Sequence, residues 1–398
     1  MLATNVRVIN AELFSTVVGD HWPETQTLEF KRDAPGRLDQ HKHEISKDVC
    51  ALANAEGGDL VFGIDAPEGT AKSLAPIMCE PPEKLKERIQ QILGAAIEPR
   101  ITGVQMQDVP IGDDGGYVLV VRVPASFLGP HSIRVNSSRR FVMRTGTTTS
   151  DLTWDQLRAA FDRTNSLTGQ ARAFIRERIE FLQQEKAPIR LLAGPIRVVH
   201  LVPLAGLSLR QAVDFQQVSM TLLDNLVEPD WGGGTPAFNL DGLLAFTQAL
   251  PGIGYAQVFR SGALEAASVC LDTSGDPSRR RERFIFPEEL APFFRERTSR
   301  FLDVARCLGF AGPCVVSFSL LNVGGLQLKE RRIFSHAGMP VADRPHLIAP
   351  EAWVENLDGA ETDTVVCPLL DILYQGFGFQ RCPDFDRETG KYRSSSQA

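Results

Sequence analysis

The stretch Glu24–Asp65, ETQTLEFKRDAPGRLDQHKHEISKDVCALANAEGGDLVFGID, decides the fold of the amino-terminal part of this chain. In T-L-E-F-K-R the apolar Leu28 and Phe30 alternate with Glu29 and Lys31. That period of two marks a half-buried strand, here with a carboxylate beside an amine on its polar face. Chemistry is expected on that face. From Ile45 the apolar positions Ile45, Val49, Leu52 and Ala53 recur at helical spacing and stop at Gly57-Gly58, where a left-handed C-cap costs little. A helix therefore follows the strand. Leu60, Val61, Phe62 and Ile64 then form a short apolar run, as a strand covered on both sides requires, and the run closes at Asp65. Asp65 stands at the carboxyl end of that strand, where α/β sheets tend to keep their ligands.

Outward from this core the pattern continues. Ala11–Val18 is expected to form a helix packed on the domain, and Pro35-Gly36 marks a turn near the polar face. A helix opens at Pro82, with Leu85, Ile89, Ile92, Leu93 and Ala96 on one side, and ends before Pro99. Strands are predicted around Ile101–Val109 and Tyr117–Val123, then a hairpin over Ile133–Arg144 turning at Asn136-Ser137-Ser138. Thr153-x-x-Gln156 resembles a capping box that opens a helix over Trp154–Arg163. The order β-α-β-α, several strands and a helix predicts an α+β fold with a mixed sheet.

Ser166–Gly169 is the expected boundary, giving a first domain over 1–165, a linker helix over 166–190 and a second, α/β domain over 191–398. The linker is amphipathic through Phe174, Ile175, Arg178, Ile179 and Leu182, and the second domain is expected to regulate or dimerise the first. In it apolar strands alternate with helices, through Ile196–Leu204, Leu209–Leu226, Tyr255–Arg260, Leu290–Leu308 and Cys314–Val323. His200, inside V-V-H-L-V, reads as a hydrogen-bonded core histidine rather than a catalytic base. The Trp231–Gly234 loop lacks the helix start that anion binding needs. The basic run Arg279, Arg280, Arg281 and Arg283 reads as a solvated turn, with RNA contact as the alternative.

With 398 residues, 43% apolar and 23% charged, the composition is that of a globular protein of two or three domains. No run of eighteen apolar residues occurs and the first residues lack the pattern of a signal peptide, so a cytoplasmic protein without a membrane span is expected. The seven cysteines form no C-x-x-C pair and are expected to be reduced and mostly buried. A net charge of −7 is a poor footprint for holding nucleic acid, so any such site must be a local basic patch. Arg134, Arg139, Arg140 and Arg144, around the predicted hairpin, form the best candidate; the same arginines would also suit a hairpin that is merely exposed.

The E-F-K strand, the A-L-A-N-A-E-G-G turn and the apolar strand ending in Asp65 resemble the Schlafen AlbA domain, once called a divergent AAA domain. The segment Arg140–Thr148, R-F-V-M-R-T-G-T-T, resembles the R-x-G-x-T stretch that closes it. Motifs in the second half, H-L-V-P-L, F-N-L-D-G and Q-V-F-R-S-G, look like an uncharacterised half that accompanies bacterial AlbA-type domains and names no reaction. In the nucleolytic branch of the family the resemblance implies a metal-dependent cut in tRNA or rRNA by three acidic residues, at positions held here by Glu24, Glu29 and Asp65.

Carboxylates are the ligands that Mg²⁺ or Mn²⁺ prefers, and such ions stabilise the charge that develops at a phosphodiester. The expectation is therefore an endoribonuclease acting on structured RNA such as tRNA, in growth arrest or phage defence. Glu24, Glu29 and Asp65 would hold the metal and Lys31 would steady the scissile phosphate. Glu24 follows Pro23, and its convergence with Glu29 requires a bend in the chain. One lobe makes only part of a groove, so a homodimer is expected. The alternatives are a non-catalytic module that binds nucleic acid or ATP, and a scaffold or sensor. No G-x-x-x-x-G-K-[ST] stretch supports a P-loop.

Overall fold

The computed structural model describes residues 2, 6–112, 114–135, 138–208, 213, 215, 226, 234–247, 251–270, 284–328 and 341–393. The Asn136-Ser137 turn, most of Leu209–Leu226, Trp231–Gly233, the Arg279–Arg283 run and the polar tail from residue 394 lie outside these described residues. The chain divides into two compact units, Met1–Ser166 and Leu167–Ala398.

The first unit contains α1 (Ala11–Gly19), β1 (Leu28–Lys31), α2 (Asp39–Asn54), β2 (Gly57–Phe62), β3 (Ile64–Asp65) and β4 (Ser73–Leu74). They are followed by α3 (Pro82–Ala96), β5 (Ile97–Glu98), β6 (Gln105–Ile111), β7 (Gly116–Pro124), β8 (Ser132–Val135), β9 (Ser138–Arg140), β10 (Val142–Thr145) and β11 (Thr148–Asp151). Its main sheet runs β1-β2-β7-β6. β1 and β2 are parallel because α2 carries the chain back over the sheet between them, and the other pairings are antiparallel. This mixed sheet with its helices is the α+β architecture expected.

Both faces of the sheet are covered. Ile45, Val49 and Leu52 of α2 and Leu85 and Ile89 of α3 pack on Leu60, Phe62, Leu119 and Val121. On the opposite face Leu2, Val6, Phe14 and Val17 pack on Leu28, Phe30, Val61, Val118 and Val120. Each fully buried aliphatic side chain contributes about 2 kcal/mol of transfer free energy. The sheet is thus the centre of the unit, and β1 is one of its two edges.

Two expectations change here. α2 ends at Asn54 with Ala55 as C-cap, and the glycines open β2 instead of capping the helix. Gly57 has φ 72°, and a Cβ there would stand 2.5 Å from the backbone nitrogen of Ala125, so only glycine lets the start of β2 lie against the end of β7. Farther on, the Thr153–Gln156 capping box forms, with Thr153 N donating to Gln156 Oε1 at 2.9 Å and Gln156 N to Thr153 Oγ1 at 3.3 Å. The helix it opens, α4 (Trp154–Gln183), does not stop near Arg163 but runs through Ser166–Gly169 for 30 residues.

The second unit is built on β12 (Ile196–Pro203), β13 (Gly234–Phe238), β14 (Gly242–Thr247), β15 (Gly254–Phe259), β16 (Leu264–Val269) and β17 (Phe284–Ile285). There follow α5 (Pro287–Cys307), β18 (Cys314–Leu321), β19 (Gln327–Leu328), β20 (Leu347–Ile348), β21 (Ala352–Val354) and α6 (Thr362–Gln375). The main sheet runs β13-β14-β15-β16-β12-β18-β20, with β21 also on β18. All its pairings are antiparallel, so the strand–helix alternation read from the sequence does not produce a parallel sheet. Phe294, Phe301 and Leu302 of α5 and Leu369, Leu370 and Leu373 of α6 belong to its core. His200 is a core histidine, hydrogen-bonded to the buried Glu265.

The cysteines are all free, but only Cys50, Cys314 and Cys382 are buried; Cys79 and Cys307 are exposed. Among the described residues no helix is long and apolar enough to cross a membrane.

Candidate functional site

Glu29 and Lys31 share register with Leu60 and Phe62, so their face of β1 lies under α2. The polar face is therefore mostly covered at Glu29, and Lys31 stands at its partly open end. Lys31 Nζ lies 2.6 Å from Glu29 Oε1 and 3.1 Å from Oδ2 of Asp48 on α2. From β10, Arg144 pairs with Glu29 Oε2 and donates to the Thr25 carbonyl at 3.2 and 3.1 Å and to the Leu28 carbonyl at 3.5 Å. The Arg144 side chain is 2% exposed and that of Glu29 10%. Both oxygens of Glu29 are thereby committed to cations of the chain itself.

These charges shift one another. Burial by itself lowers the Lys31 pKa, but the Asp48 and Glu29 carboxylates outweigh it and hold the ammonium above its ordinary range. Burial, and then the Glu29 charge, raise the Asp48 carboxyl against the pull of Lys31 and Lys47.

The other two acids stand elsewhere. The chain does bend after Glu24: Thr25 N donates to the Leu28 carbonyl at 2.9 Å, and the turn brings Glu24 back beside β1. There Glu24 Oε1 accepts from Phe30 N at 2.9 Å, filling an amide position on the free edge of the sheet. Asp65, in β3, has Oδ1 3.5 Å from Arg32, both side chains being partly exposed. Among the described residues no group of three His, Cys, Asp or Glu side chains is placed to hold a metal ion. A hard divalent cation needs several oxygens turned to one point. With Glu29 paired on both oxygens and Glu24 bound to a backbone amide, Glu24, Glu29 and Asp65 do not fit Mg²⁺ or Mn²⁺.

The arginines divide into two sets. Arg144 is interior and belongs to the Glu29 network. Arg134, Arg139 and Arg140 are exposed on the β8–β9 ribbon. Arg134 lies directly opposite Arg139 in that ribbon, and Arg100 joins them along a surface cavity of about 440 Å³ that is also lined by Ala96, Ile97 and Glu98. Arg139 pairs with Glu98 and donates to Ser132 Oγ at 3.3 Å, and Arg140 pairs with Asp151 at 3.0 and 2.8 Å. Arg100 and Arg134 have no acidic partner among the described residues.

Like charges directly opposite in a ladder repel, so Arg134 and Arg139 cost stability where they stand unless an anion lies between them. Three guanidiniums line this cavity with a single carboxylate, Glu98.

The backbone beneath this basic face is clamped from α2. Asn54 donates through Nδ2 to the carbonyls of His131 at 2.9 Å and Val142 at 2.8 Å, and its Oδ1 accepts from His131 N at 2.7 Å. Burial lowers the His131 pKa and keeps the ring neutral. Its Nδ1 then donates to the Pro99 carbonyl at 2.7 Å and its Nε2 accepts from Ser126 Oγ at 2.6 Å. One asparagine thus fixes β8 and β10, and through His131 the residue before Arg100.

Asp48, Asn54 and Arg100 were not singled out from the sequence. Asp48 falls three positions after Ile45, on the inward side of α2, and a charge there signals a buried partner. Arg100 follows a proline after a helix and carries no periodic signal.

A family model described as Schlafen, AlbA_2 matches residues 24–153. Among solved structures the chain is similar to the N-terminal domain of an ATP-dependent DNA helicase RecG-related protein from Nitrosomonas europaea, at 18% identity over 33% of this chain and 85% of that one, with a TM-score of 0.26. It is similar also to the DIP2311 protein from Corynebacterium diphtheriae, at 18% identity over 37% of this chain and 27% of that one, with a TM-score of 0.25. No curated protein matches. The segment from Glu24 to Thr153, which holds the Glu29 network and the arginine ribbon alike, is the part of the chain that matches the Schlafen AlbA_2 family model.

Proposed function

We propose that this domain is a nucleic-acid-binding module that grips the sugar–phosphate backbone of structured RNA through Arg100, Arg134, Arg139 and Arg140, without cutting it. The observation that carries the reading is the facing pair Arg134–Arg139 beside Arg100, three guanidiniums with one carboxylate among them. A planar guanidinium matches a phosphate with two parallel hydrogen bonds, and two facing arginines lose their mutual repulsion when a phosphate lies between them. The net charge of −7 does not oppose this, because charges beyond a Debye length of ~8 Å are screened. Backbone contacts carry shape rather than base sequence, which suits a folded RNA such as tRNA.

The endoribonuclease alternative needs a metal at Glu24, Glu29 and Asp65, and those side chains are engaged with Phe30, with Lys31 and Arg144, and with Arg32. Gel shifts with tRNA and with duplex DNA, at two salt concentrations, test the binding reading. Tight binding at low salt is expected, and each arginine replaced by alanine should flatten the plot of log affinity against log salt by about 0.7 to 0.9. No shift at either salt would end it. The same tRNA incubated with Mn²⁺ separates the alternative. Cutting by the wild-type chain that disappears in Asp65→Asn would replace binding by hydrolysis as the function.

A further inference from the structure

Lys31 Nζ stands between two carboxylates that come from different elements, Glu29 of β1 and Asp48 of α2. Two of the three ammonium donors are used on them, and the second Glu29 oxygen is neutralised by Arg144. The cluster of two carboxylates, one ammonium and one guanidinium is formally neutral. Its inner members are buried, yet the Lys31 side chain is 39% exposed, so water and small ions reach it from outside. Together with the Arg144 guanidinium, the ammonium supplies the two positive charges that a divalent cation would bring to these carboxylates. Because it is tethered by its own backbone, it needs no binding from solution.

We propose that Lys31 is a built-in cation that takes the place of a divalent metal between Glu29 and Asp48, so that this acidic cluster is complete without metal and admits one only when the lysine charge is removed. Any free divalent ion must displace a charge that cannot diffuse away. Without that charge, Glu29 Oε1 and Asp48 Oδ2 face each other across the vacated position with a net negative charge. That pair then offers a hard cation of the Mn²⁺ type two carboxylate oxygens, with water from the open side completing its shell. Asp48, rather than Glu24 or Asp65, is then the acid that partners Glu29. The inference does not depend on whether the arginine face holds RNA.

Mn²⁺ alone, titrated into the full-length chain and followed by the loss of the free-ion electron paramagnetic resonance signal, tests it. The wild-type chain is expected to leave the signal unchanged. Lys31→Met should take up Mn²⁺ roughly tenfold or more tightly than wild type, and Lys31→Met combined with Asp48→Asn should lose that uptake. Lys31→Gln, which keeps one hydrogen bond to a carboxylate, is made alongside in case the methionine variant does not fold, and circular dichroism verifies folding. Uptake by the wild-type chain that Asp48→Asn abolishes would overturn the proposal, and so would a folded Lys31 variant that takes up no Mn²⁺.

Discussion

Removing the Glu29 carboxylate would leave the Arg144 guanidinium in an interior site with only the Thr25 and Leu28 carbonyls for company. Breaking a buried ion pair from one side costs about 3–5 kcal/mol, because the remaining charge stays desolvated. Glu29→Ala is therefore expected to lower stability by that order in urea unfolding. Arg144→Ala should do the same, and the double variant should cost clearly less than the sum of the two. Additive losses, or either single loss below about 1 kcal/mol, would show that the pair is not the interior lock described. A loss of activity on changing Glu29 would then report folding rather than catalysis, which makes Asp65 the better residue for the cutting test. The alternation in L-E-F-K was enough to place Glu29 and Lys31 on one face of a strand. It could not show what covers that face, because Arg144 is 115 residues away from Glu29 in sequence and Asp48 arrives on another element.

Between elements, the junction from α2 into β2 carries the arrangement. Asn54 closes the helix and satisfies three backbone groups of the β8–β10 region. Leaving such groups unpaired costs about 1–3 kcal/mol each where they are buried, so Asn54→Ala should lower stability by about 3 kcal/mol. Because those bonds seat the ribbon that carries Arg134 and Arg139, the variant should also weaken RNA binding at low salt without changing the salt slope as much as losing an arginine does. Wild-type stability in Asn54→Ala would mean that water replaces the amide. Gly57→Ala is expected to cost at least 1–2 kcal/mol, since φ 72° and a contact 2.5 Å from Ala125 N both reject a Cβ; thermal melting reads this directly. The glycine pair was visible in the sequence as a break after a helix. Its actual role was not, because the close approach is to the end of β7, nearly seventy residues downstream and beyond the reach of any local signal. The capping box at Thr153 was legible for the opposite reason: its two partners are three residues apart.

For the whole molecule, one buried carboxyl in each of the two units responds to acid, and the two do so with opposite signs. In the second, Glu265 is fully buried, accepting from Arg178 Nε and a terminal nitrogen at 2.9 Å each, from His200 Nε2 at 2.9 Å and from Tyr255 Oη at 2.6 Å. Burial alone would raise its carboxyl, but the hydrogen bonds and charges of His200 and Arg178 prevail and bring it down to about 2 from an ordinary 4.5. A carboxyl depressed on folding contributes stability that is fully present above its unfolded value and is lost as pH falls through its folded one. The window is therefore between about 4.5 and about 2, and the contribution is on the order of 3 kcal/mol. In the first unit Asp48 is raised, so its own contribution grows as pH falls, until it too is protonated in both states. Urea unfolding at steps of pH should consequently show a transition of the second unit that weakens over that window, with Glu265→Gln less stable at neutral pH but nearly flat across it. Parallel curves for the two proteins would remove Glu265 as the acid-sensitive group. The apolar neighbours of His200 mark it as a core residue. The partner that makes it one lies 65 positions away on the adjacent strand, reached only once β12 and β16 are paired. What is read from a stretch of chain is thus its burial and period, whereas a charge network that decides how the protein meets acid exists only between stretches.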